Sequence, residues 1–529
     1  MSGVGKGVAV ASIGAILKSR GFRVTPIKID PYVNVDAGTM NPTEHGEVYV
    51  TKDGDETDLD MGNYERFLDE SLTSTNYMTT GRVYLSVIER ERNLGYHGAC
   101  VQVVPHIPEE VISRIKNAGK KARAEIVIVE IGGTVGEYEN ILFLEAARMM
   151  KLEKPEDVAF VLVSYLPIPS KIGEMKTKPT QHATRSLNSA GIQPDFILCR
   201  SERPLDAPRI KKLAIFCNIK SDHAISAPDV DNIYEVPINF EKDHLSDKIL
   251  KLFNLEPKRG DLEEWRVFAQ KIKKAKKEVK IGIVGKYFGT GDFTLSDSYI
   301  SVIESIKHAA WNQGLKPKIS WINSEEFEKN RSKLQELAKL DGIVVPGGFG
   351  SRGVEGKIRA IQFVREKKIP YLGLCYGMQL LTIEFARDVC GMGGANTTEI
   401  NPKTEYPVID LMEEQKEKIK NKRYGGTMRL GEYKCKLIQG TIARRAYGKS
   451  LIVERHRHRF EFNAEYKRKL IGKGLVISGT NPETGLVEIV EVKGHPFCVG
   501  TQFHPEFTSR PMRPNPIFKE FIKVASKKI

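Results

Sequence analysis

A cysteine flanked by glycines is the first candidate for chemistry in this sequence. An apolar run ends at Leu374, Cys375 follows, and Gly373 and Gly377 stand on either side before a helical pattern begins. This order predicts a strand, a tight turn and a helix with the thiol at the apex, a nucleophile elbow. The glycines leave room for the turn, and the positive end of the helix favours the thiolate. From the motif alone, a buried structural cysteine is an equal alternative.

Two distant segments favour a catalytic cysteine. Cys375, His504 and Glu506 supply a nucleophile, a general base and an orienting carboxylate. His504 and Glu506 are two positions apart, so in an extended segment their side chains point the same way. Gly347 and Gly348 follow a predicted strand and offer backbone N–H groups for an oxyanion hole. The combination predicts acyl transfer through a thioester that water then hydrolyses.

The N-terminus offers a second kind of chemistry. Residues 2–7, Ser-Gly-Val-Gly-Lys-Gly, precede a helical run over residues 8–18. A glycine-rich turn that opens a helix is a phosphate cradle, and a flexible chain start is the alternative. Gly7 stands where the common phosphate-loop motif has its magnesium-binding hydroxyl. Lys28, near the end of a predicted strand, offers a second phosphate contact, because ligands bind at the carboxyl ends of strands in such sheets.

Carboxylates are candidates for the magnesium ligands that this loop lacks. Residues 53–60 form a dense acidic run, most of which we expect to be a solvated loop. Glu130 lies at the carboxyl end of an apolar strand, where a carboxylate is costly unless it is paired or binds a metal. We therefore favour metal or nucleotide binding at Glu130.

A polar cluster lies between two further predicted strands. It contains Lys176, Lys178 and Gln181, and Pro179 is expected to keep the segment from being helical. Two lysines and an amide suit a triphosphate and the polar edge of a base. A solvated loop is the alternative.

The order of elements predicts an α/β fold with two doubly wound, mostly parallel-sheet domains. Further strands are expected at residues 157–166, 194–200, 279–286, 342–345, 369–374, 486–492 and 497–503. We predict a first domain over residues 1–256, a lysine-rich linker over 257–278 and a second domain, with Cys375, over 279–529.

Composition excludes several classes of protein. A chain of 529 residues exceeds a single core, and its net charge of +14 fits polyphosphate substrates. It has no aromatic-interleaved basic stripe, so we expect no nucleic-acid partner. It also has no apolar run near the roughly 18 residues of a membrane span and no signal-peptide pattern. Seven scattered cysteines without a C-x-x-C pair favour a reducing cytoplasm.

Taken together, the motifs resemble a known family. The second half resembles a class I glutamine amidotransferase domain, and nearly the whole chain resembles the CTP synthase family. The motifs that carry the resemblance are Gly5–Gly7, Lys28–Tyr32, His45–Val48, Asp58–Asp60, Glu130–Gly136, Lys176–His182, Pro346–Gly350, the Cys375 elbow, Val453–Arg459 and Gln502–Phe507.

The resemblance implies a P-loop-like synthetase domain and the reaction UTP + ATP + glutamine → CTP + ADP + phosphate + glutamate. It implies that Cys375, His504 and Glu506 are catalytic, and that glutamine is bound by Gly348, Phe349, Gln379, Glu399 and Arg459. It implies ATP binding by Ser2, Gly3, Val4, Gly5, Lys6, Gly7, Lys28, Asp60 and Arg200, and UTP or CTP binding by Glu137, Glu139, Lys176, Lys178 and Gln181. It further implies Mg²⁺ at Asp60 and Glu130 and an ammonia passage along Pro42, His45 and Val48.

The family also implies GTP as an activator and assembly as a homotetramer, with filament formation left open.

This sequence departs from the family's motifs at three places. The family has a hydrophobic strand and two glycines before the phosphate loop, so we expect either a longer natural N-terminus or weakened ATP binding. Glu137 replaces the usual aspartate, and Tyr376 replaces the usual leucine.

Two alternatives remain open from the sequence. One is another ATP-dependent amidoligase fused to a glutaminase, such as a cobyrinate-type synthase, against which the cluster at residues 176–182 argues. The other is a non-catalytic assembly subunit or nucleotide sensor, suggested by the shortened phosphate loop.

Overall fold

Strands and helices alternate along the chain, which confirms the predicted α/β class. The computed structural model describes residues 3–260, 262–286, 289–290, 293–294, 296–412 and 428–528. It divides into two units, one formed by Met1–Asp36 with Asn63–Ala269 and the other by Ala37–Gly62 with Gln270–Ile529. None of the described helices is both long enough and apolar enough to cross a membrane.

The strands in chain order are β1 (Val24–Asp30), β2 (Tyr49–Val50), β3 (Glu56–Thr57), β4 (Tyr77–Thr79), β5 (Ile126–Ile131), β6 (Val161–Tyr165), β7 (Phe196–Ser201), β8 (Ala224–Pro228), β9 (Lys277–Gly285), β10 (Gly289–Thr290), β11 (Phe293–Thr294), β12 (Leu315–Asn323), β13 (Gly342–Val345), β14 (Tyr371–Leu374), β15 (Ala395–Thr397), β16 (Tyr406–Leu411), β17 (Arg429–Leu437), β18 (Leu451–His458), β19 (Phe460–Phe462), β20 (Leu475–Thr480), β21 (Val487–Val492) and β22 (Cys498–Thr501).

The α-helices are α1 (Lys6–Ser19), α2 (Pro42–His45), α3 (Asp60–Leu68), α4 (Thr80–Arg92), α5 (Val103–Ala122), α6 (Ile141–Glu153), α7 (Lys178–Ser189), α8 (Ala207–Cys217), α9 (Val236–Lys242), α10 (Leu245–Leu252), α11 (Glu263–Lys274), α12 (Ile300–Asn312), α13 (Glu325–Lys329), α14 (Val354–Glu366), α15 (Tyr376–Asp388), α16 (Ile442–Tyr447), α17 (Lys467–Gly472) and α18 (Pro516–Ala525).

The first unit holds two three-stranded parallel sheets, in the orders β4-β1-β5 and β6-β7-β8. Every residue of β1 is buried, and the register sets Lys28 opposite Glu130. Lys28 is therefore on a central strand and not an edge lysine. Both charged groups of this pair lie inside the sheet.

The second unit is built on a nine-stranded sheet in the order β12-β9-β13-β14-β22-β21-β20-β17-β18. Neighbours from β12 to β22 run parallel, and neighbours from β22 to β18 run antiparallel. Successive residues of β13 belong to two core clusters: Ile343 and Val345 pack with α14 and α15, and Val344 packs with α12 and α18. The centre of the sheet is thus buried on both faces, which explains the continuous apolar run of β13.

One helix corrects a prediction. Pro179 does not keep its segment from being helical, because α7 begins at Lys178 and places the proline within its first turn. The missing N–H of proline costs nothing there, since the first N–H groups of a helix have no partner within it. Residues 257–278, expected to be a linker, include α11, whose Trp265 and Phe268 are buried.

Candidate active site

The turn around Cys375 is a nucleophile elbow. Cys375 sits between β14 and α15 with φ 50° and ψ −98°, a conformation that side chains other than glycine rarely adopt. A Cβ on Gly377 would lie 2.2 Å from the carbonyl oxygen of Val345, and one on Gly373 would lie 2.7 Å from the backbone of Gly377. Both glycines are therefore required by close packing, as the sequence predicted.

Three neighbouring parallel strands bring the candidate residues together. β13 leads to Gly347 and Gly348, β14 leads to Cys375, and β22 leads to His504. The N–H of Cys375 donates to the carbonyl of Thr501 at 2.6 Å, which ties the elbow to the end of β22. Because parallel strands end at one edge of a sheet, residues far apart in sequence meet there.

His504 and Glu506 form a direct pair. Nδ1 of His504 lies 2.7 Å from Oε1 of Glu506, and both side chains are buried. The predicted extended segment is wrong in detail, because Pro505–Thr508 forms a 3₁₀ turn and β22 ends at Thr501. The turn still directs the carboxylate back to the imidazole.

The electrostatics of the site favour a charged imidazole. Burial alone lowers the pKa of His504, but the charges of Glu506 and Cys375 outweigh it and raise the pKa to about 10. Nε2 of His504 makes no hydrogen bond to the described residues, so this nitrogen is available for proton transfer at Cys375. The arrangement therefore stabilises an imidazolium beside Cys375.

Cys375, His504 and Glu506 line a cavity of about 420 Å³. Its walls include Cys375, His504, Glu506, Gly347, Gly348, Phe349, Arg457, Arg459 and Val48. A Cβ on Gly347 would lie 2.9 Å from Cε1 of His504, so only glycine allows the loop to approach the imidazole. The volume is in the range of small-molecule sites.

Two predicted glutamine-binding residues, Gln379 and Glu399, are not among the described lining residues of this cavity. Oε1 of Glu399 accepts the N–H of Gly350 at 2.7 Å, and Nε2 of Gln379 donates to the carbonyl of Phe460 at 2.8 Å. Burial raises the pKa of Glu399, although the N–H of Gly350 and the charge of Lys286 oppose it.

The predicted passage residues belong to the second unit. Val48 is buried and lines the cavity with Cys375. His45 ends the short helix α2, is exposed and is not among the lining residues described, and Pro42 begins the same helix.

The sequence interpretation missed a group of residues that supports His504. The guanidinium of Arg455 donates to the hydroxyl of Tyr49 at 3.1 Å, and that hydroxyl donates to the carbonyl of Phe507 at 2.9 Å. The ring of Phe507 stacks on the imidazole of His504, with centroids 5.0 Å apart, and Tyr49 packs against Phe507 edge-on. Arg455 also accepts the N–H of His504 on its backbone carbonyl.

Glu56 was expected within a solvated acidic run, and this expectation is wrong for that residue. Glu56 is buried and pairs with Arg457 at 2.8 Å, and Arg457 lies over the ring of Phe349 at 5.2 Å from its centre. Asp53, in the same run, is exposed as expected. Periodicity could not have found this pair, because the partners are 401 positions apart.

The phosphate loop lies in the first unit. Gly3 and Gly5 have φ of 70° and 83°, so the turn uses the freedom of glycine, and Gly7 begins the buried part of α1. The ammonium of Lys6 donates to the carbonyl of Gly133 at 2.9 Å. A Cβ on Gly5 would lie 3.9 Å from Arg200, which the resemblance linked to the same ligand. Val4 is buried, and Ser2 lies outside the described residues.

The buried charges of the first sheet form one cluster. The ammonium of Lys28 lies 3.0 Å from Glu130 and 3.6 Å from Asp30, and the hydroxyl of Tyr64 donates to Glu130 in a short contact. Oδ2 of Asp30 makes no hydrogen bond to the described residues. Asp60 begins α3 and is assigned to the other unit.

The predicted pyrimidine-nucleotide residues are distributed over two elements. Glu137 accepts the N–H of Thr134 at 2.7 Å, which lowers the pKa of Glu137, and Glu139 is exposed on the same turn. Before and along α7, Lys176 pairs with Glu174, Lys178 lies over the ring of Phe216, and buried Gln181 donates to Thr177. A Cβ on Gly136 would contact Ser186 at 3.8 Å, so the turn and α7 are neighbours.

Comparison with known proteins first identifies the class of the second unit. A family model described as glutamine amidotransferase class-I matches residues 294–524, and one described as CTP synthase N-terminus matches residues 1–255. The solved glutaminase domain of Trypanosoma brucei CTPS, with bound acivicin, is 36% identical with a TM-score of 0.44, over 47% of this chain and 94% of that chain.

Full-length relatives then identify the family. The CTP synthase of Caldanaerobacter subterraneus subsp. tengcongensis is 51% identical over 99% of this chain and 96% of its own length. That of Carboxydothermus hydrogenoformans is 52% identical over 100% of this chain and 97% of its own length. The chain belongs to the CTP synthase family.

Proposed function

We propose that this chain is a glutamine-hydrolysing ligase that converts UTP to CTP at the expense of ATP. The observation that carries the proposal is the meeting of Cys375, His504 and Glu506 at one sheet edge, in a chain whose full-length relatives are named CTP synthase. Nothing in the structure or the comparisons supports a non-catalytic subunit.

In the glutaminase reaction, the thiolate of Cys375 attacks the carboxamide carbon of glutamine. Backbone N–H groups of the Gly347–Gly348 loop support the oxyanion, and the imidazolium of His504 gives its proton to the amide nitrogen, which leaves as ammonia when its bond to carbon breaks. Water then adds to the thioester, His504 takes a proton from it, and glutamate leaves with the thiolate restored. Glu506 holds the imidazole in place through the 2.7 Å contact at Nδ1.

In the synthetase reaction, ATP transfers a phosphoryl group to the 4-oxygen of UTP, which turns it into a leaving group. Ammonia then adds at C4 and phosphate departs. Lys6 and Lys28 are proposed to neutralise the transferring phosphates, with Arg200 beside the glycine loop. We assign this reaction to residues 1–256 and the glutaminase to residues 279–529, joined by residues 257–278.

Mg²⁺ fits the chemistry of the carboxylates present. Glu130 is buried with a lysine and a tyrosine as partners, and the described residues contain no cluster of three His, Cys, Asp or Glu side chains that could hold a metal alone. Mg²⁺ usually binds one or two carboxylates plus substrate phosphates. We propose that Asp60 and Glu130 hold the ion, which neutralises phosphate charge when bound.

Family membership also supports three further proposals. They are activation by GTP, assembly as a homotetramer and a cytoplasmic location. The seven free cysteines, six of them buried, are consistent with a reducing compartment. We propose that UTP, or CTP in its place, binds at a pyrimidine-nucleotide site formed by Glu137, Glu139, Lys176, Lys178 and Gln181.

The deciding experiment measures CTP from UTP and ATP, with glutamine or with ammonia as nitrogen source. The Cys375→Ala variant should lose glutamate release and glutamine-driven CTP, and it should keep ammonia-driven CTP. Loss of both activities in a folded variant would contradict the division of labour. Full glutamine-driven activity would remove Cys375 from the mechanism.

A further inference from the structure

A lysine that is buried and makes no ion pair with the described part of the chain lies beside the glutaminase elbow. Lys357, on α14, is fully buried, and its Nζ makes no hydrogen bond or ion pair with the described residues. Burial, helped by the charge of Lys286, lowers the pKa of Lys357 to about 7. An unpaired buried amine costs stability, which a methionine of similar length would not. Packing alone therefore gives no reason for a lysine here.

The contact that Lys357 does make is with the residue after the nucleophile. Its Nζ lies over the ring of Tyr376, 5.6 Å from the centroid, within the range of a cation–π interaction. Tyr376 is itself 1% exposed and opens α15. The amine thus lies against the ring that follows Cys375.

Tyr376 in turn holds the loop that lines the cavity. Its hydroxyl donates to the carbonyl of Gly350 at 3.0 Å, while the N–H of Gly350 donates to Glu399 at 2.7 Å. The ammonium of Lys286 donates to the carbonyl of Phe349 in a short contact. The two peptide groups on either side of Gly350 are therefore hydrogen-bonded by the side chains of Tyr376, Glu399 and Lys286. They follow Gly348, which lines the cavity.

We infer that Tyr376 and Lys357 are positioning residues for glutamine hydrolysis. Lys357 fixes the ring of Tyr376, and the hydroxyl of Tyr376 fixes Gly350, which sets Gly348 and Phe349 against Cys375. Neither side chain is among the described lining residues of the cavity, so both act through the loop. The inference rests on the proposed glutaminase function and extends it.

The first test is the Tyr376→Phe variant, which keeps the ring and removes the hydroxyl. One lost hydrogen bond should lower kcat/KM for glutamine about 2- to 12-fold, from a net worth of about 0.5–1.5 kcal/mol. Ammonia-driven CTP formation and the rate of Cys375 alkylation by iodoacetamide should not change, while the melting temperature should fall modestly because a buried hydrogen bond is lost. A structural role alone would lower the melting temperature and leave kcat/KM for glutamine unchanged.

Tyr447→Phe is the matched control. Tyr447 is a half-buried tyrosine whose hydroxyl donates to Glu454 on the opposite face of the sheet. Its loss should affect stability and leave kcat/KM for glutamine unchanged.

The second test is Lys357→Met. This variant should be more stable than the parent and still lose a similar factor in kcat/KM for glutamine. Combined with Tyr376→Phe, it should cost little more than either change alone, because both act on one loop. Unchanged glutamine kinetics in both variants would overturn this inference alone. Absence of glutamate release by the parent protein would overturn it together with the proposed function.

Discussion

His504 differs from the other histidines near the site in its charged neighbours. His456 and His458, on β18, bond to each other at 3.0 Å, and burial lowers the pKa of both well below the ordinary value. They remain neutral and act as packing groups. His504 has a carboxylate on one side and the thiol on the other, so the same burial leaves it charged. The charged neighbours of His504, more than its burial, therefore determine its protonation state.

The Glu506→Gln variant tests whether the carboxylate of Glu506 keeps the imidazole of His504 charged. Removing the carboxylate should let burial lower the pKa of His504, so the imidazolium that protonates the leaving amide nitrogen is lost at lower pH. The alkaline limb of kcat/KM for glutamine hydrolysis should move down by about 1–3 pH units. A pH–rate profile of glutamate release measures the shift.

Glu454→Gln is the control for that profile. Glu454 is also a buried carboxylate of the second unit, but it accepts from Tyr447, Thr508 and Asn515 and does not bond to His504. Its loss should reduce stability without moving the limb. An unmoved limb in Glu506→Gln would show that another group sets the charge of His504.

At the scale of elements, the elbow depends on how closely α15 approaches β13. Because a Cβ on Gly377 would lie 2.2 Å from the carbonyl oxygen of Val345, Gly377→Ala must displace the first turn of α15. A shift of about 1 Å in the thiol should cost about 100-fold in glutamine hydrolysis. Glutamate release measures the loss, while ammonia-driven CTP formation should persist.

Gly393→Ala is the matched glycine control. A Cβ there would have no neighbour within 4 Å, and the residue does not have a positive φ. Normal activity in Gly393→Ala beside inactive Gly377→Ala would attribute the loss to the contact with β13. Full activity of Gly377→Ala would contradict the proposed precision of the elbow.

An ion pair between a half-buried guanidinium and a buried carboxylate joins the two helices that flank this edge. Arg365 on α14 contacts both carboxylate oxygens of Glu384 on α15 at 2.7–3.0 Å. Burial raises the pKa of Glu384 to about 7 even though Arg365 opposes the rise. The ion pair links α15, the helix that follows Cys375, to α14. Its attraction is offset by the cost of removing the charged groups from water.

Arg365→Met should leave Glu384 buried without its partner and lower the free energy of unfolding by about 3–5 kcal/mol. Because the pKa of Glu384 is above its unfolded value of 4.5, this carboxyl favours the folded state fully below pH 4.5, and the benefit is lost as pH rises through 7. The variant should therefore lose more stability between pH 5 and pH 8 than the parent. Urea unfolding at several pH values measures this.

The double variant Arg365→Met with Glu384→Leu should recover most of the stability, since no charge is then left buried. Failure to recover would mean that the two side chains stabilise through packing more than through charge.

At the scale of the whole molecule, we expect the two proposed chemistries of this chain to be separable by mutation. Lys6→Ala takes away the ammonium that opens α1 and contacts Gly133. CTP formation should fall to background with either nitrogen source, while basal glutamate release should remain. This pattern is the reverse of that expected for Cys375→Ala.

Lys18→Ala serves as its control. Lys18 lies at the other end of α1 and pairs with Glu70 at the surface, so both activities should stay normal. Persistent CTP formation by Lys6→Ala would remove the phosphate loop from the proposed mechanism.

Local sequence was enough to predict the features that depend on neighbouring residues. The elbow at Cys375, the glycine turn before α1 and the strand that ends in Glu130 follow from backbone sterics and apolar runs, which act over a few residues. It was not enough for Pro179, because a proline is compatible both with a loop and with the first turn of a helix.

Tertiary structure decided which distant groups meet. Glu56 is buried because Arg457 reaches it, Tyr49 supports His504 through Phe507, and Lys357 lies on Tyr376. These contacts join segments that no periodic pattern connects, and their energies arise only after the sheet has ordered its strands. Sequence therefore determined the kinds of chemistry available to this protein. Tertiary structure decided the burial, the protonation states and the supporting partners of those side chains, since desolvation and ion pairing exist only in the folded chain.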